Sequence, residues 1–130
     1  MRVSALYGGL LAVMLLFLSY RVILYRRRHR IDLGDGEDPL LARLVRAQAN
    51  FAEYAPFGLL MLMLLELGAW PSWLLHGLGV TLISGRLAHA WSFSVAELRL
   101  RSRTAGMVLT TAMIAIAASL CLLQALGLAG

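Results

Sequence analysis

A helix needs roughly 20 consecutive apolar residues to cross a bilayer, because the hydrocarbon core is ~30 Å thick and each helical residue advances ~1.5 Å. This chain of 130 residues carries four such runs, at about residues 3–25, 40–67, 70–93 and 104–128. Lipid offers no hydrogen bonds to the backbone, so each run must satisfy its own polar groups as a helix. Four spans with short links use up the chain, which predicts one all-α membrane domain over residues 1–130 and no separate soluble unit. Composition agrees: 60% of the residues are hydrophobic, above the ~45–50% apolar share of soluble domains. The first run is too long for the core of a secretory leader, and arginines rather than a small-residue cleavage site follow it, so it reads as a retained helix.

The formal net charge is +5, and all twelve basic residues are arginine. Arg26, Arg27, Arg28 and Arg30 follow the first run, and Arg99, Arg101 and Arg103 separate the third from the fourth. The link near residues 68–72 has no charge. Cytoplasmic links collect arginine, so the first and third links are expected in the cytoplasm and both termini across the membrane, as for a bacterial inner-membrane protein. No aromatic-basic groove accompanies the charge, which argues against nucleic acid. Cys121 has no partner for an intrachain disulfide or a metal site, and reads as a small packed residue.

The links carry turn chemistry. In "RRRHRIDLGDGEDP" the charge changes sign, and Gly34, Gly36 and Pro39 mark a loop whose proline can open the second helix. "WPSW" places Trp70 and Trp73 at an interface belt. Gly77, Gly79 and Gly85 with Ser84 predict a close-packing face on the third helix, and Ala112, Ala115, Ala117, Ala118 and Ser119 give the fourth the same character.

The second run has a polar head, "VRAQANFAEYAPF". At ~100° per residue, Arg46, Asn50, Glu53 and Tyr54 form one stripe, while Gln48 points nearly opposite. Glu53 lies ~10 Å deeper than Arg46, where a charge in lipid costs ~2.5–3.5 kcal/mol, so the stripe is expected to face protein or ligand. Two readings stand level: a salt bridge between Arg46 and Glu53 with Asn50 bonding across helices, or a binding site. The third run adds Arg86, His89 and Phe93 on one face, at similar depth. That cationic cluster with one acid suits an anionic, zwitterionic ligand.

These segments resemble the MAPEG family, the membrane-associated proteins in eicosanoid and glutathione metabolism, in its bacterial form. The specific match is Arg46-Ala-Gln48-x-Asn50-x-x-Glu53-Tyr54-x-Pro56, and "GRLAHAWSF", "RTAGMVLT" and "RVILYRRRHRI" support it. The resemblance implies a homotrimer of four-helix protomers with glutathione held between subunits near the cytoplasmic side. Arg26, Arg46, Gln48, Asn50, Glu53 and Tyr54 match residues that hold the tripeptide, and Arg86 and His89 match residues lining the site. At Phe93 many members have tyrosine, so a hydrogen bond is lost. The thiol-activating arginine falls on Arg103, with Arg99 as second choice and Arg101 nearby. The implied activity is transfer of glutathione, or peroxidase chemistry, onto lipophilic electrophiles from the bilayer. The alternative is a non-catalytic lipid-binding or regulatory trimer of the same fold. A small exporter fits poorly, since the first span holds no acid.

Overall fold

The computed structural model describes residues 1–92 and 100–128. Phe93 and Arg99 therefore lie outside the described residues. Four helices run up and down in order: α1 Arg2–His29, α2 Pro39–Leu67, α3 Ser72–Ser92 and α4 Leu100–Ala125. They fall on the four expected runs, with two shifts at the arginine-rich end. Helix α1 continues one turn past Tyr25 and carries Arg26, Arg27, Arg28 and His29 in its last turn. Cations there suit the negative end of a helix dipole. Helix α4 starts early, so Arg101 and Arg103 belong to its first turn rather than to a link.

Local chemistry sets the helix starts. Asp38 is the N-cap of α2: its Oδ1 accepts from the N–H of Leu40 at 2.8 Å and of Leu41 at 3.0 Å. Pro39 then occupies the first helical position, where its missing N–H costs nothing. The Tyr25 hydroxyl donates to the other Asp38 oxygen at 2.8 Å, which ties the end of α1 to the start of α2.

Helices α2 and α3 each touch the other three, while α1 and α4 flank them without meeting. The main core joins Leu11, Phe51, Leu62, Leu82 and Met113. The tightest crossing is α3 on α4. A Cβ on Gly85 would meet Thr110 Oγ1 at 2.6 Å, and one on Gly106 would meet the Gly85 carbonyl at 2.6 Å. Lipid removes the hydrophobic drive between helices, so close backbone approach of this kind supplies the contact. The expected single glycine face on α3 divides instead: Gly79 lies under Tyr7 of α1, Gly85 faces α4, and Gly77 and Ser84 point outward. Residues 79 and 85 are ~240° apart on the wheel, so they serve different neighbours.

Helices α1, α2 and α4 are long and apolar enough to cross a membrane. Helix α3, with His76, Arg86 and His89 in 21 residues, is not among them and sits in contact with all three others. The outside of the bundle is greasy where a soluble protein would be polar. Val13, Leu16, Phe17 and Tyr20 of α1 and Val108, Ile116 and Leu122 of α4 are all more than half exposed.

Candidate functional site at the arginine-rich end

The polar stripe of α2 splits in two. Taking Arg46 as zero on the helical wheel, Glu53 falls about 20° to one side, with Asn50 about 40° and Tyr54 about 80° to the other. That small angular step decides burial. Asn50 is buried and Tyr54 half-buried, whereas the Arg46 and Glu53 side chains are 61% and 50% exposed.

The inner pair meets Arg86. Arg86 is 1% exposed, and its guanidinium joins three helices. Its Nε donates to Thr110 Oγ1 of α4 at 2.9 Å, and one Nη donates to Asn50 Oδ1 of α2 at 2.9 Å. The other Nη reaches Met107 Sδ at 3.5 Å, and the group lies 5.4 Å from the centre of the Tyr54 ring. Thr110 passes its own hydroxyl to the Gly106 carbonyl at 2.9 Å. Each of these partners of Arg86 is neutral. A buried charge is expensive unless paired, and among the described residues these partners offer the arginine dipoles and an aromatic face. His89, three residues on, is buried beside it.

The outer pair meets each other. Arg46 Nη1 lies 3.4 Å from Glu53 Oε1, the salt bridge that a purely structural reading expects. At this exposure such a pair is worth little in water, ~0–1 kcal/mol. In lipid it needs a cover of protein, ligand or water. Arg46 also lines an open hollow of about 430 Å³ between the end of α1 and the start of α2. Arg26 and Asp35 line the same hollow, so arginines from two different helices border one opening. Arg26 is further held near the loop by a 3.4 Å bond to the Asp32 carbonyl.

Gln48 turns away from this site. Its amide donates to Ser19 Oγ of α1 at 2.9 Å, as its opposite position on the wheel requires. Arg103 is exposed on the first turn of α4. Ser102 beside it donates to the Ala88 carbonyl at 2.8 Å and fixes that turn against α3. Thr110, Met107 and Ser102 are the participants that sequence reading missed. Thr110 lies four residues from Gly106, so a small-residue gap followed by a hydroxyl at i+4 was the available signal. Among the described residues no group of three His, Cys, Asp or Glu side chains could hold a metal ion.

Comparison with known proteins places this geometry in a family. The chain is 34% identical over 91 residues to the inner membrane protein YecN of Escherichia coli K12, covering 70% of each chain. The match to YecN of Escherichia coli O6:H1 strain CFT073 has the same identity and coverage. With the apolar helices above, these relatives identify an integral protein of the bacterial inner membrane. The MAPEG family model matches residues 4–123, almost the whole described chain, and the protein therefore belongs to the MAPEG family.

Proposed function

We propose that this protein binds glutathione at the arginine-rich end and transfers it to lipophilic electrophiles. The observation that carries the reading is the charge set around the α1–α2 hollow: Arg26 and Arg46 from two helices, with Glu53 paired to Arg46 on an otherwise apolar flank. Glutathione has two carboxylates, one ammonium and a thiol. Two guanidinium groups suit the carboxylates, since each can give two parallel hydrogen bonds. Glu53 suits the ammonium, and its bond to Arg46 is weak enough to exchange. Arg86 holds Asn50 and Tyr54, and so fixes the face of α2 that carries Arg46 and Glu53.

When bound, glutathione supplies the sulfur nucleophile of the reaction. Arg103, at the start of α4, serves to favour the thiolate over the thiol, because a nearby cation lowers a thiol pKa from ~8.5. A site at the membrane edge brings a water-soluble nucleophile and an oily acceptor together. The exposed pair on α2 also supports a homotrimer, in which a neighbouring subunit covers it and completes the site.

Calorimetric titration of glutathione into the detergent-solubilised protein tests the binding. The native protein should bind, and Glu53→Ala and Arg46→Ala should bind at least tenfold more weakly. Equal binding by all three, or none by the native protein, overturns the reading. Arg103→Gln tests the chemistry: it should retain binding and lose conjugation of a lipophilic electrophile. Binding without conjugation in the native protein, across a broad electrophile panel, would leave a non-catalytic glutathione-binding trimer instead.

A further inference from the structure

Two hollows lie along the seam between α1 and α2. The one at the arginine-rich end is bordered by Arg26 and Arg46. The other, of about 210 Å³, lies deeper in the span, and every residue that lines it is apolar. Leu11, Phe51 and Ala55 form its buried floor. Its rim is exposed at Ala12 of α1 and at Ala52 and Pro56 of α2. Small residues leave this space open. A Cβ on Gly8 would come within 3.3 Å of Leu59, and Ala12, Ala52 and Ala55 each end at one methyl group. The neighbouring lipid face of α1 carries Val13, Leu16 and Phe17 instead.

The two hollows continue one another. On α2, Ala49 borders the first and Ala52 the second, so ~4.5 Å separates them along the axis. Val45, Ala49, Ala52 and Pro56 fall within about 60° of one another on the wheel, and so do Gly8, Ala12, Leu15 and Arg26 on α1. The bond from Gln48 to Ser19 joins the helices near this step. One groove therefore runs from charge into hydrocarbon. Hydrocarbon alone gains little by entering it, because lipid tails are as apolar as its walls. A chain gains when its polar end is held at the head of the groove. We propose that the apolar hollow holds one unbranched hydrocarbon chain, that of the lipophilic acceptor, with the reacting carbon at the step between Ala49 and Ala52. The inference rests on the glutathione reading and narrows the acceptor class: a straight alkyl or acyl chain is taken in preference to a branched one.

The test is calorimetric titration of three glutathione conjugates into the detergent-solubilised protein. They are S-methylglutathione, S-decylglutathione, and an isomer of the latter whose ten carbons branch near the sulfur. The two isomers have the same composition, so detergent takes up both alike. The native protein should bind the straight conjugate about tenfold more tightly than the branched one or S-methylglutathione. Ala12→Leu and Ala52→Leu fill the rim of the hollow, and each should shrink that advantage to about twofold or less while S-methylglutathione binds as before. Both positions are exposed, so the larger side chain does not strain the core. Val13→Leu, on the lipid face beside the groove, should change nothing. If S-methylglutathione binds but the straight isomer has no advantage, or keeps it in both leucine variants, the groove proposal falls and the glutathione reading stands. If no conjugate binds, both fall. A leucine variant that alters the number of subunits in native mass spectrometry would assign the groove to a neighbouring copy, and this too overturns the proposal.

Discussion

At the end of the bundle where α1 begins, Glu66 of α2 accepts from the N–H of Val3 at 2.9 Å and of Ser4 at 2.8 Å, and lies 3.6 Å from the Met1 ammonium. Nearby, Tyr7 bonds the His76 ring at 3.1 Å, and Trp70 donates to Gln124 at 2.7 Å. These bonds join α1 to α2, α1 to α3, and the α2–α3 link to α4, while the buried Ser4 hydroxyl is left without a partner among the described residues. At the arginine-rich end, Arg86 is buried among neutral partners, and Arg46 and Glu53 pair on an open flank. One end uses polar groups to close the bundle. The other keeps charge in places where stability alone gives it little reason to be. On the proposed reading, the difference separates groups that hold the fold from groups that would meet glutathione.

Substitutions can break or sharpen this contrast. The largest effect is expected at Arg86. Arg86→Ala leaves Asn50 and a cavity unfilled, and should lower stability by about 3 kcal/mol or more in detergent thermal unfolding. Arg86→Met keeps the stem and removes the buried charge. It fills the cavity but leaves Asn50 unpaired, so it should cost about 1–2 kcal/mol, less than Arg86→Ala, yet lose at least tenfold in glutathione affinity. If Arg86→Met is as unstable as Arg86→Ala, the arginine is structural and the contrast fails.

At the other end, Glu66→Ala removes the cap of α1 and should cost about 1–2 kcal/mol. Gln124→Ala leaves the Trp70 N–H without its acceptor and should cost about 1 kcal/mol. Neither should change glutathione affinity; a change in either would mean that the two ends are coupled.

Asp38 gives a pH test. The Leu41 N–H, then the Tyr25 hydroxyl, hold its carboxyl below the usual range. Its contribution is therefore complete above the ordinary carboxylate pKa of ~3.9 and is lost as pH falls below that toward the depressed value. Asp38→Asn should flatten the acid limb of stability below about pH 4, because the variant lacks the ionised carboxylate's contribution at neutral pH too. The smallest stability effect belongs to the exposed pair: Arg46→Ala or Glu53→Gln should shift stability by less than about 0.5 kcal/mol. Their loss should instead appear in glutathione titration.

Much of this could be read in the linear chain. The four helices follow from run length, and Pro39 marks the start of α2 as its fixed φ and missing N–H require. The stripe of Arg46, Asn50, Glu53 and Tyr54 follows from helical spacing, as does the opposite direction of Gln48. The cap role of Asp38 was hidden among four neighbouring acids of similar type. The bonds of Glu66 to Val3 and Ser4 join residues more than sixty positions apart, and no local pattern announces such a pairing.

What the sequence determined by itself is the solvent and the periodicity: long apolar runs demand helices in lipid, and a 3.6-residue turn aligns the charged side chains. The tertiary structure decided which side of that alignment faces inward. A step of tens of degrees around α2 sends Asn50 and Tyr54 to Arg86 and leaves Arg46 and Glu53 outside. The step depends on how closely α3 approaches α4 through Gly85 and Gly106, and on Thr110 standing where Arg86 can reach it. Those are contacts between helices, set by packing across the bundle, and periodicity along one helix does not contain them.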